Sequence, residues 1–140
     1  MPAYTAGMLA RPESPDPFAA HCVWLLAPLG AAQARRLFGG HGLYLDGLMI
    51  GLVAAEQLYL KTDALTLARW QAAGGQPFVY TRTQGGAAKQ TTLSYWTPPA
   101  EAIESPALMQ PWARLALEAA LRAKAQRGPR RPAAIKRKRA

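Results

Sequence analysis

Residues 35–61 read RRLFGGHGLYLDGLMIGLVAAEQLYLK, and this stretch decides the fold. Asp46-Gly47 stands between two apolar runs, Gly42-Leu43-Tyr44-Leu45 and Leu48 to Ala54. An Asp-Gly pair tolerates positive φ at both central positions of a type I′ turn, whose twist matches that of paired antiparallel strands. The pair predicts a β-hairpin. A second reversal is expected at Ala55-Glu56, returning the chain as Gln57-Leu58-Tyr59-Leu60-Lys61. The segment thus reads as three consecutive antiparallel strands. The middle strand, Leu48-Met49-Ile50-Gly51-Leu52-Val53, is apolar on both faces, which places it in the sheet centre or under cover on both sides.

Before this stretch, Asp16-Pro17 carries a helix-start signal: Asp caps free backbone N–H groups and Pro is tolerated at the first helical position. Phe18, Cys22, Leu25 and Leu26 recur at helical spacing, and Pro28 and Gly30 end the helix. Ala31 to Arg36 leads into the Gly-rich turn. After it, Thr62-Asp63 offers a cap for a short helix carrying Leu65, Leu67, Ala68 and Trp70, closed by Gly74-Gly75. Phe78 to Arg82 and Thr91 to Trp96 read as a second β pair around a Gln84–Ala88 loop. Ser105-Pro106 then opens a last helix, with Leu108, Trp112, Leu115 and Ala119 on its apolar face and Leu117 and Leu121 widening it. The expected architecture is α+β in two layers: an antiparallel sheet of about five strands in the order α-β-β-β-α-β-β-α, covered by helices. Residues 1–15 read as a mobile leader, 16–125 as the domain, and 126–140 as a basic disordered tail.

The 140 residues suffice for one domain with a sizeable core. The single cysteine, Cys22, excludes an intrachain disulfide and fits a reducing compartment. No apolar run reaches the ~20 residues of a membrane helix, and no basic-then-apolar signal opens the chain. A soluble cytoplasmic protein is expected. Of the net charge of +9, Arg127, Arg130, Arg131, Lys136, Arg137, Lys138 and Arg139 supply +7. The rest, with 10 basic and 8 acidic groups, is nearly neutral. Clustered cations neutralise phosphates and release counterions, so these seven are candidate nonspecific nucleic-acid contacts. Pro129 and Pro132 disfavour a continuous helix there, and the segment lacks the apolar face of a membrane-surface helix.

The candidate chemistry is sparse. Gly39-Gly40-His41-Gly42 resembles a phosphate loop in composition, but these glycines open a strand rather than a helix, so they read as a tight turn or bulge. His21 and Cys22 are adjacent on a helix and diverge by about 100°, and no metal-ligand spacing occurs. No metal or cofactor is expected. His41 lies between glycines, in a slot expected to be exposed. Ser94 lacks the flanking glycines of a nucleophile elbow, and the carboxylates are scattered, so no enzymatic activity is expected. Tyr44, Tyr59, Tyr80, Tyr95 and Trp96 fall in strands. They would stack bases only if Lys61, Arg82 and Lys89 shared their face.

Arg36-Leu37-Phe38-Gly39-Gly40-x-Gly42-Leu43-Tyr44-Leu45-Asp46-Gly47 resembles the opening of the TfoX/Sxy N-terminal domain. Leu58-Tyr59-Leu60-Lys61, Leu93-Ser94-Tyr95-Trp96 and Pro111-Trp112-Ala113-Arg114-Leu115-Ala116-Leu117 continue the resemblance in order, over roughly Pro17 to Lys124. It implies the same kind of α+β fold and a structural role for Phe38, Gly39, Gly40, Gly42, Tyr44, Asp46 and Gly47. It also implies a regulator of bacterial competence or transcription without enzymatic activity. The implied protein partner is the transcription machinery around the cyclic-AMP receptor protein. Larger members carry a second, helical domain, for which this sequence has no room. Two other readings stay open: a protein whose main activity is binding nucleic acid directly, and a self-associating structural or small-molecule-binding module.

Overall fold

The computed structural model describes residues 16–127 except Phe38. Helix α1 (Pro17–Leu25) and a 3-10 turn lead into β1 (Ala32–Leu37), β2 (Gly40–Leu45), β3 (Leu48–Ala54) and β4 (Gln57–Lys61). Helix α2 (Leu67–Ala72), β5 (Pro77–Gln84), β6 (Ala87–Trp96), a second 3-10 turn and α3 (Pro106–Arg127) follow. The six strands form one antiparallel sheet in the order β1-β2-β3-β4-β6-β5. The α+β architecture is as the sequence predicts, with one strand more than the expected five.

Local chemistry explains the central meander. Asp46 and Gly47 have φ of 53° and 79°, and Ala55 and Glu56 have 52° and 59°, so both reversals are left-handed two-residue turns. The second turn is made without glycine or asparagine, so register is held there by the strands it joins. Gly40 has a different reason. A Cβ there would overlap the Val53 carbonyl oxygen of the neighbouring strand.

One face of the sheet is covered. Leu43, Leu45, Ile50, Val53, Leu58 and Leu60 pack with Ala19, Cys22, Leu25 and Leu26 of the α1 region and with Trp70 and Met109 in one core. Helix α3 lies against β3 and β4, and α1 against β1 and α3. The buried stripe of α3 is Met109, Ala113, Ala116, Ala119 and Ala120. Leu108 and Leu121, expected on that face, are about half exposed. The reason is steric: a stripe of alanines lets the helix axis approach the sheet closely, while leucines would hold it away.

Three further expectations change. Residues 32–37 form strand β1 where the sequence predicts only an approach to the sheet. Its sequence, AQARRL, has little apolar patterning, and pairing with β2 makes it an edge strand. The strands of the β5–β6 hairpin run into the expected 84–88 loop and leave only Gly85-Gly86 as a two-residue turn. Gln126 and Arg127 belong to α3 and not to a tail beginning at 126. The tail cations Arg130, Arg131, Lys136, Arg137, Lys138 and Arg139, and the leader 1–15, lie outside the described residues.

Asp63 caps a turn before α2, accepting from the backbone N–H of Leu65 and Thr66. It also accepts from Arg122 of α3, Nε at 2.7 Å and Nη2 at 3.1 Å. The Arg122 bond leads the causes that hold its carboxyl below the ordinary carboxylate value. A depressed folded-state pKa stabilises above the unfolded value of about 3.9, and the gain is lost as pH falls through the folded value. Asp63→Asn is therefore expected to be less stable than the parent at pH 7. The two urea-unfolding free energies should converge as pH drops below about 3.9. A constant gap across pH would remove the ion pair from the account.

Candidate functional site

The strand alternation gives the sheet a second face that no helix among the described residues covers. Gln33, Arg35 and Leu37 of β1 stand opposite Tyr44, Gly42 and Gly40 of β2, and the series continues through Leu52↔Tyr59 and Lys61↔Tyr95. Phe78↔Leu93, Tyr80↔Thr91 and Arg82↔Lys89 complete it on β5 and β6. Lys61 and Lys89 therefore share the register face of Tyr44, Tyr59, Tyr80 and Tyr95, and Arg82 pairs with Lys89 in the backbone register, which meets part of the condition set for a base-stacking surface. Trp96 stands opposite Leu60 and packs against the core.

Two cation–ring pairs occupy this face. The Arg35 guanidinium is 5.1 Å from the Tyr44 ring centroid, and the Lys61 ammonium is 5.2 Å from that of Tyr95. Lys61 also donates to the Ser94 hydroxyl at 3.2 Å. Tyr59 meets Phe78 edge to face, with centroids 5.0 Å apart. Burial lowers the Lys61 ammonium below its ordinary pKa, the Arg127 charge lowers it further, and Asp63 opposes both. Burial, then the nearby Tyr44, pushes the Tyr95 phenol up to about 12.

The face is curved. A flat six-stranded sheet holds its outer strands about 24 Å apart. Yet Leu37 of β1 and Phe78 and Tyr80 of β5, the two edges, line one cavity of about 40 Å³ together with His41 of β2 and Leu52, Val53 and Ala54 of β3. The uncovered face is concave, which half-buries its rings without any of the described helices.

A groove of about 390 Å³ lies on the helical side. Pro111, Trp112 and Leu115 of α3 form its apolar wall, with Arg69 of α2 and Arg114 and Glu118 of α3 as charged lining. Trp112 is held by Trp70, with ring centroids 5.0 Å apart.

The other candidates fall into structural places. Gly39 has φ of 79° in the turn that opens β2, so the glycines serve a strand entry. Asp46 and Gly47 are an exposed turn, and Phe38 lies outside the described residues. His41 is 8 % exposed, contrary to the exposed slot expected of it. Its strand parity matches Leu43 and Leu45, so it turns under the helices, with Nδ1 3.9 Å from Asp16 Oδ2. His21 Nε2 lies 2.7 Å from the Ile103 carbonyl oxygen, to which it donates. Cys22 is fully buried, and burial, then the Asp16 charge, pushes its thiol up to about 12, so it packs as a small apolar group. No set of three His, Cys, Asp or Glu among the described residues could hold a metal ion. No helix among them is long and apolar enough to cross a membrane.

Sequence reading missed the pairing of Arg35 with Tyr44 and of Lys61 with Tyr95, and the groove residue Arg69. For the two pairs the signal was present as alternation: once β1 is a strand, Arg35 and Arg36 must take opposite faces. The groove had no such signal, because α2 and α3 are far apart in sequence.

Comparison with curated proteins gives no significant match. A family model does match: the TfoX N-terminal domain, over residues 24–120, from α1 through most of α3. That span holds the central meander, both cation–ring pairs and all of the groove, and the chain belongs to the TfoX N-terminal domain family.

Proposed function

We propose that this chain is a small regulatory module of transcription or competence control that acts by binding a protein partner, while its basic C-terminal residues add nonspecific affinity for DNA. The helical groove carries this reading. It offers about 390 Å³, an apolar wall at Trp112 and Leu115, and two arginines against one glutamate. Such a groove suits an apolar anchor flanked by acidic groups on a partner surface. The membership of the family supports the regulatory role.

The test uses the full chain. Replacing Arg130, Arg131, Lys136, Arg137, Lys138 and Arg139 by Gln should weaken duplex binding and flatten its salt dependence. The parental slope of log affinity on log salt should be steeper by up to about 5, at roughly 0.9 per neutralised phosphate. In parallel, Arg69→Glu/Arg114→Glu should release a partner that the parent retains. Equal retention by parent and variant would remove the groove from the reading, and an unchanged salt slope would remove the tail.

A further inference from the structure

We propose that the concave face of the sheet, left uncovered by the described helices, binds single-stranded nucleic acid, with Tyr44, Tyr59, Phe78 and Tyr95 stacking unpaired bases and Arg35 and Lys61 meeting the phosphates. This goes beyond the regulatory reading, which needs neither this face nor an unpaired strand.

Charge segregation is the first support. None of the six strands contains an acidic residue, whereas Arg35, Arg36, Lys61, Arg82 and Lys89 all lie in them. The described acids sit elsewhere: Asp16 at a cap, Asp46 and Glu56 in turns, Asp63 in a loop, and Glu101, Glu104 and Glu118 in helical segments. A near-neutral average thus conceals a basic sheet. Arg36 turns to the opposite face, and Arg35, Lys61 and Lys89 remain on this one, so a polyanion is its complement.

The second support is the placement of rings beside charges. On β1–β2 and again on β4–β6, a cation stands about 5 Å from a tyrosine ring. Each pair offers a flat apolar surface for a base and a charge for the phosphate joined to it. The rings are half-buried, anchored in the sheet with part of each open to solvent. Bases in a duplex are already stacked and paired and cannot lie on them, so the face selects a single strand.

The third support is continuity with the basic segment. Arg127, the last described residue, lies close enough to lower the Lys61 pKa. Thirteen residues with six further cations continue from that point.

The experiment is a fluorescence-anisotropy titration of a 12-mer oligothymidine and of a 12-bp duplex. Thymidine stacks weakly on itself and leaves its bases free. The protein is the full chain with the six tail cations replaced by Gln, so the tail reading and this one fail separately. This chain should still bind oligothymidine, and more tightly than the duplex. Adding Arg35→Gln/Lys61→Gln should lower affinity about tenfold or more and flatten the salt slope by about 1.4, at roughly 0.7 per phosphate of a single strand. Arg36→Gln, one residue away and on the opposite face, should change affinity less than twofold. Tyr44→Leu should lower affinity about tenfold, the range for losing one stacked base, with the salt slope unchanged. Urea midpoints of the variants show that they remain folded. An oligouridine arm separates RNA from DNA as the source, and tight binding of either supports the site. No binding by the tail-neutral chain would overturn the proposal. So would equal losses from Arg35/Lys61 and Arg36 variants, or competition by polyglutamate as strong as by oligothymidine.

Discussion

Trp70→Ala should lower the unfolding free energy by about 3–5 kcal/mol. Trp70 is fully buried, its ring meets Trp112 at 5.0 Å, and its carbonyl accepts from the Gly75 N–H that ends α2. Truncation leaves a cavity between α2, α3 and the sheet, and the neighbouring groove loses the ring that holds Trp112. Against a typical total of about 5–15 kcal/mol, such a loss leaves a marginal domain. Trp70→Phe should cost far less. The indole N–H finds no acceptor among the described residues, so phenylalanine removes a buried unsatisfied donor along with some apolar area. Urea unfolding of both variants checks this. A Trp70→Phe loss as large as that of Trp70→Ala would mean that the N–H has a partner worth more than the ring.

The second large effect is expected at Gly40. Its Cβ would overlap the Val53 carbonyl oxygen, a backbone atom that pairing with β2 holds in place. A side chain could swing aside, but a strand can yield only by opening its ladder. Gly40→Ala should therefore cost about 3 kcal/mol, the upper end for overpacking, with an unchanged denaturant slope. Gly47→Ala is the matched control. Its Cβ would meet nothing within 4 Å, and only its φ of 79° opposes the change. That strain is worth about 1 kcal/mol. Equal midpoints for the two variants would show that the close approach of β2 to β3 is not what requires glycine at residue 40.

The central meander was legible because its determinants are local. Asp46-Gly47 encodes its own turn, and the two-sided apolar run of β3 encodes its central place. Asp16, with its carboxylate 2.8 Å from the Phe18 N–H, and Ser105, whose hydroxyl accepts from the Leu108 N–H, started their helices as their sequence contexts predict. The errors have one physical origin. β1 lacks apolar patterning and exists by pairing, and α3 is oriented by the closeness its alanines permit rather than by its largest side chains. His41 was assigned by its glycine neighbours, when strand parity decides its side.

The sequence by itself determined the α+β class, the meander with its two reversals, the family and the concentration of positive charge at the C-terminal end. These rest on interactions within a few residues or on composition, so no tertiary contact is needed to read them. Only the tertiary structure decided which faces are covered, that the sheet curls until β1 and β5 share a cavity, and that Arg35 meets Tyr44 while Lys61 meets Tyr95. Those outcomes depend on pairing across many residues of chain and on how closely a helix can approach a sheet. A strand's alternation states that two faces exist; the packing of α1 and α3 selects the one that is buried and leaves the other uncovered by any described helix.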